Sequence, residues 1–136
     1  MKIIAIDYGL KRTGIAETDD LQMIASPLTT VETKNIFEFL DKYLKENQVE
    51  TLVIGEPLKE DGTYNELELD IVKFIDKLKK KYPALRIDRE DERYSSKLAF
   101  QTLIDGGAGR KKRRNKALTD MVSAAIILQD YLKRTQ

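Results

Sequence analysis

The run Lys2-Ile3-Ile4-Ala5-Ile6-Asp7-Tyr8-Gly9 constrains the fold of this chain more than any other stretch. Both of its alternating sets, Ile3/Ala5 and Ile4/Ile6, are apolar, which is the pattern of a central strand covered on both faces. The rest of the chain must therefore supply neighbours on either side and layers above and below. An unpaired charge is costly in such a strand, yet Asp7 falls on the Ile3/Ala5 face, just before a turn at Gly9. Gly9 and Gly14 bracket Lys11-Arg12, so the turn is permissive in backbone and positive in charge. A carboxylate placed there calls for a partner, and a divalent cation is the partner this pattern predicts.

Composition narrows the chemistry. The 136 residues suit one domain, 1–136, with room for a real core. Lys and Arg number 24 against 23 Asp and Glu, a net charge of +1, so any pull on a polyanion must come from local clustering. Cysteine and histidine are both absent. That removes disulfides, thiolate chemistry, a Ser-His-Asp triad and a histidine general base. Carboxylates, lysines and hydroxyls remain, and oxygen-only ligation points to Mg²⁺ or Mn²⁺. No apolar run approaches the roughly 20 residues that span a bilayer, and the N-terminus lacks signal-peptide character. A soluble cytoplasmic protein without membrane contact is expected.

Strand one, about 2–8, leads through the Gly9–Arg12 turn into a hairpin partner at Thr13–Thr18. A third strand is predicted around Met23–Leu28, its end marked by Pro27. Thr33 or Asn35 is placed to cap a helix on which Ile36, Phe37, Leu40, Tyr43 and Leu44 recur at helical spacing. Val49–Gly55 reads as strand four, closed by Glu56-Pro57. Leu67, Ile71, Phe74/Ile75 and Leu78 mark a second helix that ends near Pro83, and Leu85–Arg89 reads as strand five. Ser95 or Ser96 would cap a short helix carrying Leu98, Ala99, Thr102 and Leu103. A last amphipathic helix runs from Leu118 to about Lys133. Three strands in hairpin order followed by strand–helix alternation imply an α/β fold with a mixed sheet and helices on both faces.

Two further acidic positions resemble Asp7 in their placement. Asp120 lies early in the last helix, on the Ala124 and Ile127/Leu128 stripe that should face the sheet. Asp91-Glu92 sits where strand five meets its loop, and alternation alone leaves open which of the two points inward. Joined at one end of the sheet, such carboxylates would hold one or two Mg²⁺ and activate water against a phosphodiester. Taken singly, each has a plainer reading, as a turn cap, a helix N-terminal acid or a solvated loop. The run Arg110, Lys111, Lys112, Arg113, Arg114, Asn115, Lys116 has six cations in seven positions just before the Asp120 helix. Beside metal-binding carboxylates it would grip a polyanion backbone. With no aromatic interleaved, base stacking gains little support.

The stretch from Asp7 to Ala16 resembles the opening motif of the YqgF/RuvX family of RuvC-like nucleases. Ile54-Gly55-Glu56-Pro57-Leu58 with Asp61-Gly62-Thr63 is similar to its second motif. Asp91-Glu92-Arg93-Tyr94-Ser95-Ser96 is similar to the third, and Lys116–Asp120 with Ala124–Leu132 to the C-terminal helix. The four motifs occur in order along essentially the whole chain. The resemblance implies a ribonuclease H-like fold with a five-stranded mixed sheet, and a cytoplasmic metal-dependent endonuclease. Its expected role is processing the 5′ end of pre-16S rRNA in ribosome biogenesis, with Holliday junction resolution as the alternative. By motif match Asp7, Glu92 (or Asp91) and Asp120 would form the metal-binding catalytic triad, and Lys11, Arg12 and Arg93 would contact phosphate. Glu56 departs from the apolar residue usual in the family, so it is either a fourth ligand or a surface substitution. The Ser95-Ser96 pair replaces commoner threonines and keeps their hydroxyls.

Two other classes compete. Sugar kinases and actin-like ATPases share the fold and begin their phosphate loops alike, but they close two domains over a nucleotide and this chain has length for one. A non-catalytic module binding RNA or a ribosomal protein through Arg110–Lys116 would keep its role when Asp7 is replaced. An RNA-end processor could act as a monomer, whereas a resolvase would most simply be a homodimer.

Overall fold

The computed structural model describes residues 1–59, 61–92 and 116–136. Five strands, β1 (Lys2–Asp7), β2 (Arg12–Thr18), β3 (Ala25–Glu32), β4 (Val49–Glu56) and β5 (Arg86–Asp91), form one sheet in the order β3-β2-β1-β4-β5. The β3-β2-β1 half is antiparallel, and β4 and β5 run parallel to β1. A short 3-10 turn at Thr33–Asn35 leads into α1 (Ile36–Glu46), which is followed in chain order by α2 (Glu68–Lys81) and α3 (Lys116–Thr135).

The central strand is sandwiched as its sequence requires. Ile4 and Ile6 join Ile15, Leu52 and Ile54 against Ile36 and Leu40 of α1 and Ile71, Phe74 and Leu78 of α2. On the reverse face Ile3, Ala5, Ala16 and Val53 meet Ala124, Ile127, Leu128 and Tyr131 of α3. The expected α/β sheet with helices on both faces is what the chain forms.

Several boundaries differ from their sequence expectation. The third strand runs to Glu32 instead of stopping near Leu28, and Pro27 lies inside it, paired with Ala16 at a register shift. An edge strand can spare an N–H, so proline there interrupts pairing without ending it. Strand five reaches Asp91, two residues past its predicted end. Neither Thr33 nor Asn35 caps a helix through its side chain; the Thr33 hydroxyl is used elsewhere. The predicted helix around Leu98–Leu103 lies outside the described residues.

Candidate active site

The register of β1 and β2 sets the first part of the site. Asp7, the last residue of β1, stands directly opposite Gly14 of β2. Side chains alternate along a strand, so Asp7 shares the face of Ile3 and Ala5, the face that α3 covers. A Cβ at Gly14 would lie 2.0 Å from the Asp120 carbonyl oxygen and 2.9 Å from the Met121 nitrogen. Any other residue would lift the helix off the sheet. Glycine at 14 therefore brings the α3 backbone onto β2 at Asp120, one strand away from Asp7. The small residues Ser123, Ala124 and Ala125, all buried, continue that close approach.

The acidic pair after strand five is resolved by the same alternation. Ile87 packs on the α1/α2 side, while Asp88 and Glu90 reach Tyr131 and Arg134 of α3. Glu92 continues the even-numbered set, since its N–H donates to the Glu56 carbonyl at 3.2 Å and extends the ladder past β5. A Cβ at Gly55 would sit 2.8 Å from Glu92 Oε2 and 3.0 Å from Ile127 Cδ1, so the Glu92 carboxylate lies over Gly55, under α3. Asp91 pairs with Glu56 in register and belongs to the opposite set. Glu56 itself contacts Arg89 at 3.9 Å and Tyr64 at 3.5 Å, on the α2 side. Glu56 thus faces away from Asp7, Glu92 and Asp120.

The three acids consequently span three adjacent strands of one sheet end, Asp120 over β2, Asp7 on β1 and Glu92 over β4. With strands about 4.8 Å apart, the outer two must lean inward to share a ligand with Asp7. Among the described residues no three Asp or Glu side chains stand grouped closely enough to hold a metal ion. The Arg12 Nε–H donates to Asp120 Oδ2 at 2.8 Å, with side chains 39% and 25% exposed. The donor set, carboxylate oxygens without nitrogen or sulfur, is the kind that hard divalent cations take.

Two supports of this site escape sequence reasoning. Thr33 ties down the loop between β1 and β2: its hydroxyl donates to the Gly9 carbonyl at 2.6 Å and lies 2.8 Å from the Thr13 hydroxyl. Its backbone N–H also reaches the Lys11 carbonyl at 2.9 Å. Arg89 braces the end of β4 from behind. It holds Glu68 of α2 through two bonds of 2.7 and 3.0 Å and donates to the Gly55 carbonyl at 3.0 Å and the Ile54 carbonyl at 3.3 Å. A carboxylate in the first turn of α2 also suits the helix dipole. In the sequence Arg89 and Glu68 read as ordinary surface charges.

The remaining predicted contacts divide. Lys11 is exposed on the loop, Lys116 is exposed at the start of α3, and Arg12 is half-buried. Arg93, Arg110, Lys111, Lys112, Arg113 and Arg114 lie outside the described residues. Tyr8 turns to the other face, its ring centroid 5.0 Å from that of Phe74. Burial first, then the charge of Asp70, pushes its phenol above the ordinary range. No helix among the described residues is long and apolar enough to cross a membrane.

The RuvX family, described as Holliday junction resolvase, matches residues 1–134. The chain belongs to this family. Among RuvX relatives, a protein of Christiangramia forsetii named "Putative pre-16S rRNA nuclease" is 50% identical over 131 residues, 96% of this chain and 97% of its own. A protein of Flavobacterium psychrophilum with the same name is 50% identical over 133 residues, covering 98% and 97%. The backbone is similar to that of a Fowlpox virus resolvase crystallised with its substrate Holliday junction DNA. The TM-score is 0.58 at 13% identity, over 98% of both chains. At that identity the likeness concerns fold, and it bears out the ribonuclease H-like expectation.

Proposed function

We propose that this RuvX chain is a divalent-metal-dependent endonuclease, a hydrolase of phosphodiester bonds, that acts in the cytoplasm on the 5′ end of pre-16S rRNA. The observation that carries the reading is the placement of Asp7, Glu92 and Asp120 on one face, at one end of the sheet, from three separate elements. In this reading those three carboxylates hold Mg²⁺ or Mn²⁺, with Asp7 central and Glu92 and Asp120 leaning in from either side. The ion, when bound, supplies an activated water and neutralises charge that develops on the phosphodiester. The chain's own task is to orient the phosphate. Lys11 on the β1–β2 loop and Arg12 at the start of β2 lie at the same end of the sheet as the acids, and in this reading they contact phosphate together with Arg93 and the basic run Arg110–Lys116. Gly55, braced through Arg89, gives the Glu92 carboxylate a flat floor to lie on.

One observation favours the pre-rRNA reading over junction resolution. The relatives at 50% identity carry that name. The family description keeps junction cleavage as the second reading, and there two copies would act across a symmetric junction.

The deciding experiment pairs wild type with Asp7→Asn on pre-16S rRNA bearing its 5′ leader and on a synthetic four-way DNA junction, each in Mg²⁺ or EDTA. We expect leader cleavage that needs both Mg²⁺ and Asp7. The variant should lose on the order of 10³-fold in rate, about 4 kcal/mol of barrier, while melting within about 1 kcal/mol of wild type. Cleavage of the junction alone would select resolution. Binding of both without Asp7-dependent cleavage would make the chain a binding module.

A further inference from the structure

The Arg12–Asp120 contact sits where the proposed site most needs a free carboxylate. Both backbones are fixed. Arg12 pairs with Glu32 in the β2–β3 ladder, and the neighbouring Lys11 carbonyl is held by Thr33. Asp120 is set by the contact of its carbonyl with Gly14, and the Thr30 hydroxyl donates to the Ala117 carbonyl at the start of α3. What can move is the guanidinium, on a side chain 39% exposed at the rim of the site.

A guanidinium and a divalent cation compete for one carboxylate. Each repels the other, and Asp120 Oδ2 already accepts a charge-assisted bond from Arg12 Nε at 2.8 Å. A phosphate diester offers the guanidinium a better partner, since its two free oxygens match the planar fork. We infer that Arg12 is a placeholder cation. Without nucleic acid it holds Asp120; when a backbone phosphate arrives it transfers to the phosphate and releases Asp120 towards Asp7. Nucleic acid and divalent cation thereby bind cooperatively, and linkage requires each to raise the other's affinity by the same factor. This rests on the reading of Asp7, Glu92 and Asp120 as cation-holding residues. It assigns Arg12 a positioning role beyond simple phosphate contact, and it gives a reason why no ready-made acidic cage is seen among the described residues.

The test measures binding. Mn²⁺ is titrated by calorimetry into free wild type, Arg12→Met, Arg12→Lys and Asp7→Asn, with thermal melts to establish folding. Loss of the guanidinium should raise Mn²⁺ affinity about 10-fold in Arg12→Met, within the usual range of coupling between two sites. Arg12→Lys should fall between it and wild type. In the second arm, anisotropy of fluorescein-labelled leader RNA is read in Ca²⁺ and in EDTA at matched ionic strength. Wild type should bind the RNA about 10-fold tighter in Ca²⁺, a gain that Arg12→Met loses. Equal or weaker Mn²⁺ binding by folded Arg12→Met, with Asp7→Asn still losing it, overturns the placeholder role alone. Mn²⁺ binding that is indifferent to Asp7→Asn overturns the metal reading beneath it.

Discussion

The two faces of the sheet are built from different materials. Towards α1 and α2 the strands present Ile4, Ile6, Ile15, Leu52 and Ile54, all fully buried, against leucines and aromatics. Towards α3, apart from Ile3, they present Ala5, Gly14, Ala16, Val53 and Gly55, and the helix answers with Ser123, Ala124 and Ala125 beside the larger Ile127, Leu128 and Tyr131. Bulky residues remove much apolar surface from water and carry most of the burial energy. Small ones bury less but bring backbones close, and here closeness lays the Asp120 backbone on Gly14, opposite Asp7, and leaves Glu92 room over Gly55. One face is specialised for stability and the other for placing charges.

That division can be broken from either side. Leu52→Ala opens a cavity on the bulky face and should cost about 3 kcal/mol of stability. The activity of the protein that stays folded should be unchanged at low temperature. Urea unfolding and leader cleavage at the same temperature would check both halves. Gly14→Ala should cost about as much, roughly 3 kcal/mol, because the added methyl meets the α3 backbone at 2.0 Å, where no flexible side chain can give way. Its cleavage rate should nevertheless fall far more than that of Leu52→Ala, since Asp120 moves with the helix. A Gly14→Ala protein that cleaves at the wild-type rate would break the comparison.

The smallest effect sharpens it. The far end of α3 is fastened to β5 by a hydrogen bond from Tyr131 to Asp88. Burial, then that bond, pushes the Tyr131 phenol up to about 12. An unfolded tyrosine titrates near 10. The raised folded value therefore adds stability that is fully present below about pH 10 and lost as pH climbs from about 10 to 12. Tyr131→Phe should flatten the fall in unfolding free energy across that window, measured by urea titrations at several pH values. Tyr43 and Tyr82 on the other face are also raised, by burial and their bonds to Glu17 and Asp41, so the dependence should shrink without vanishing.

What could be read from the sequence followed from local pattern. Asp7 stood out because a strand apolar on both sides ended in a charge, and Asp120 because helical spacing put it on the sheet-facing stripe. The choice between Asp91 and Glu92 could not be read, because it needed the register with β4 and a ladder bond beyond the end of β5. Pro27 reads as a strand end because nothing local in the sequence marks β3 as an edge strand. Thr33 and the Arg89–Glu68 pair were hidden for a different reason. Their partners, Gly9 and the carbonyls of Ile54 and Gly55, are backbone groups brought near only by the finished sheet.

The contact between Gly14 and Asp120 also orders events in time. All five strands, including the one that carries Asp7, are synthesised before α3, so the proposed acidic site lacks Asp120 until that helix docks. Contacts so distant along the chain form late and demand that the intervening structure be in place. Before α3 docks, the face that carries Ile3, Ala5, Ala16 and Val53 also lacks its cover. On the proposed reading, cleavage waits for the completed chain.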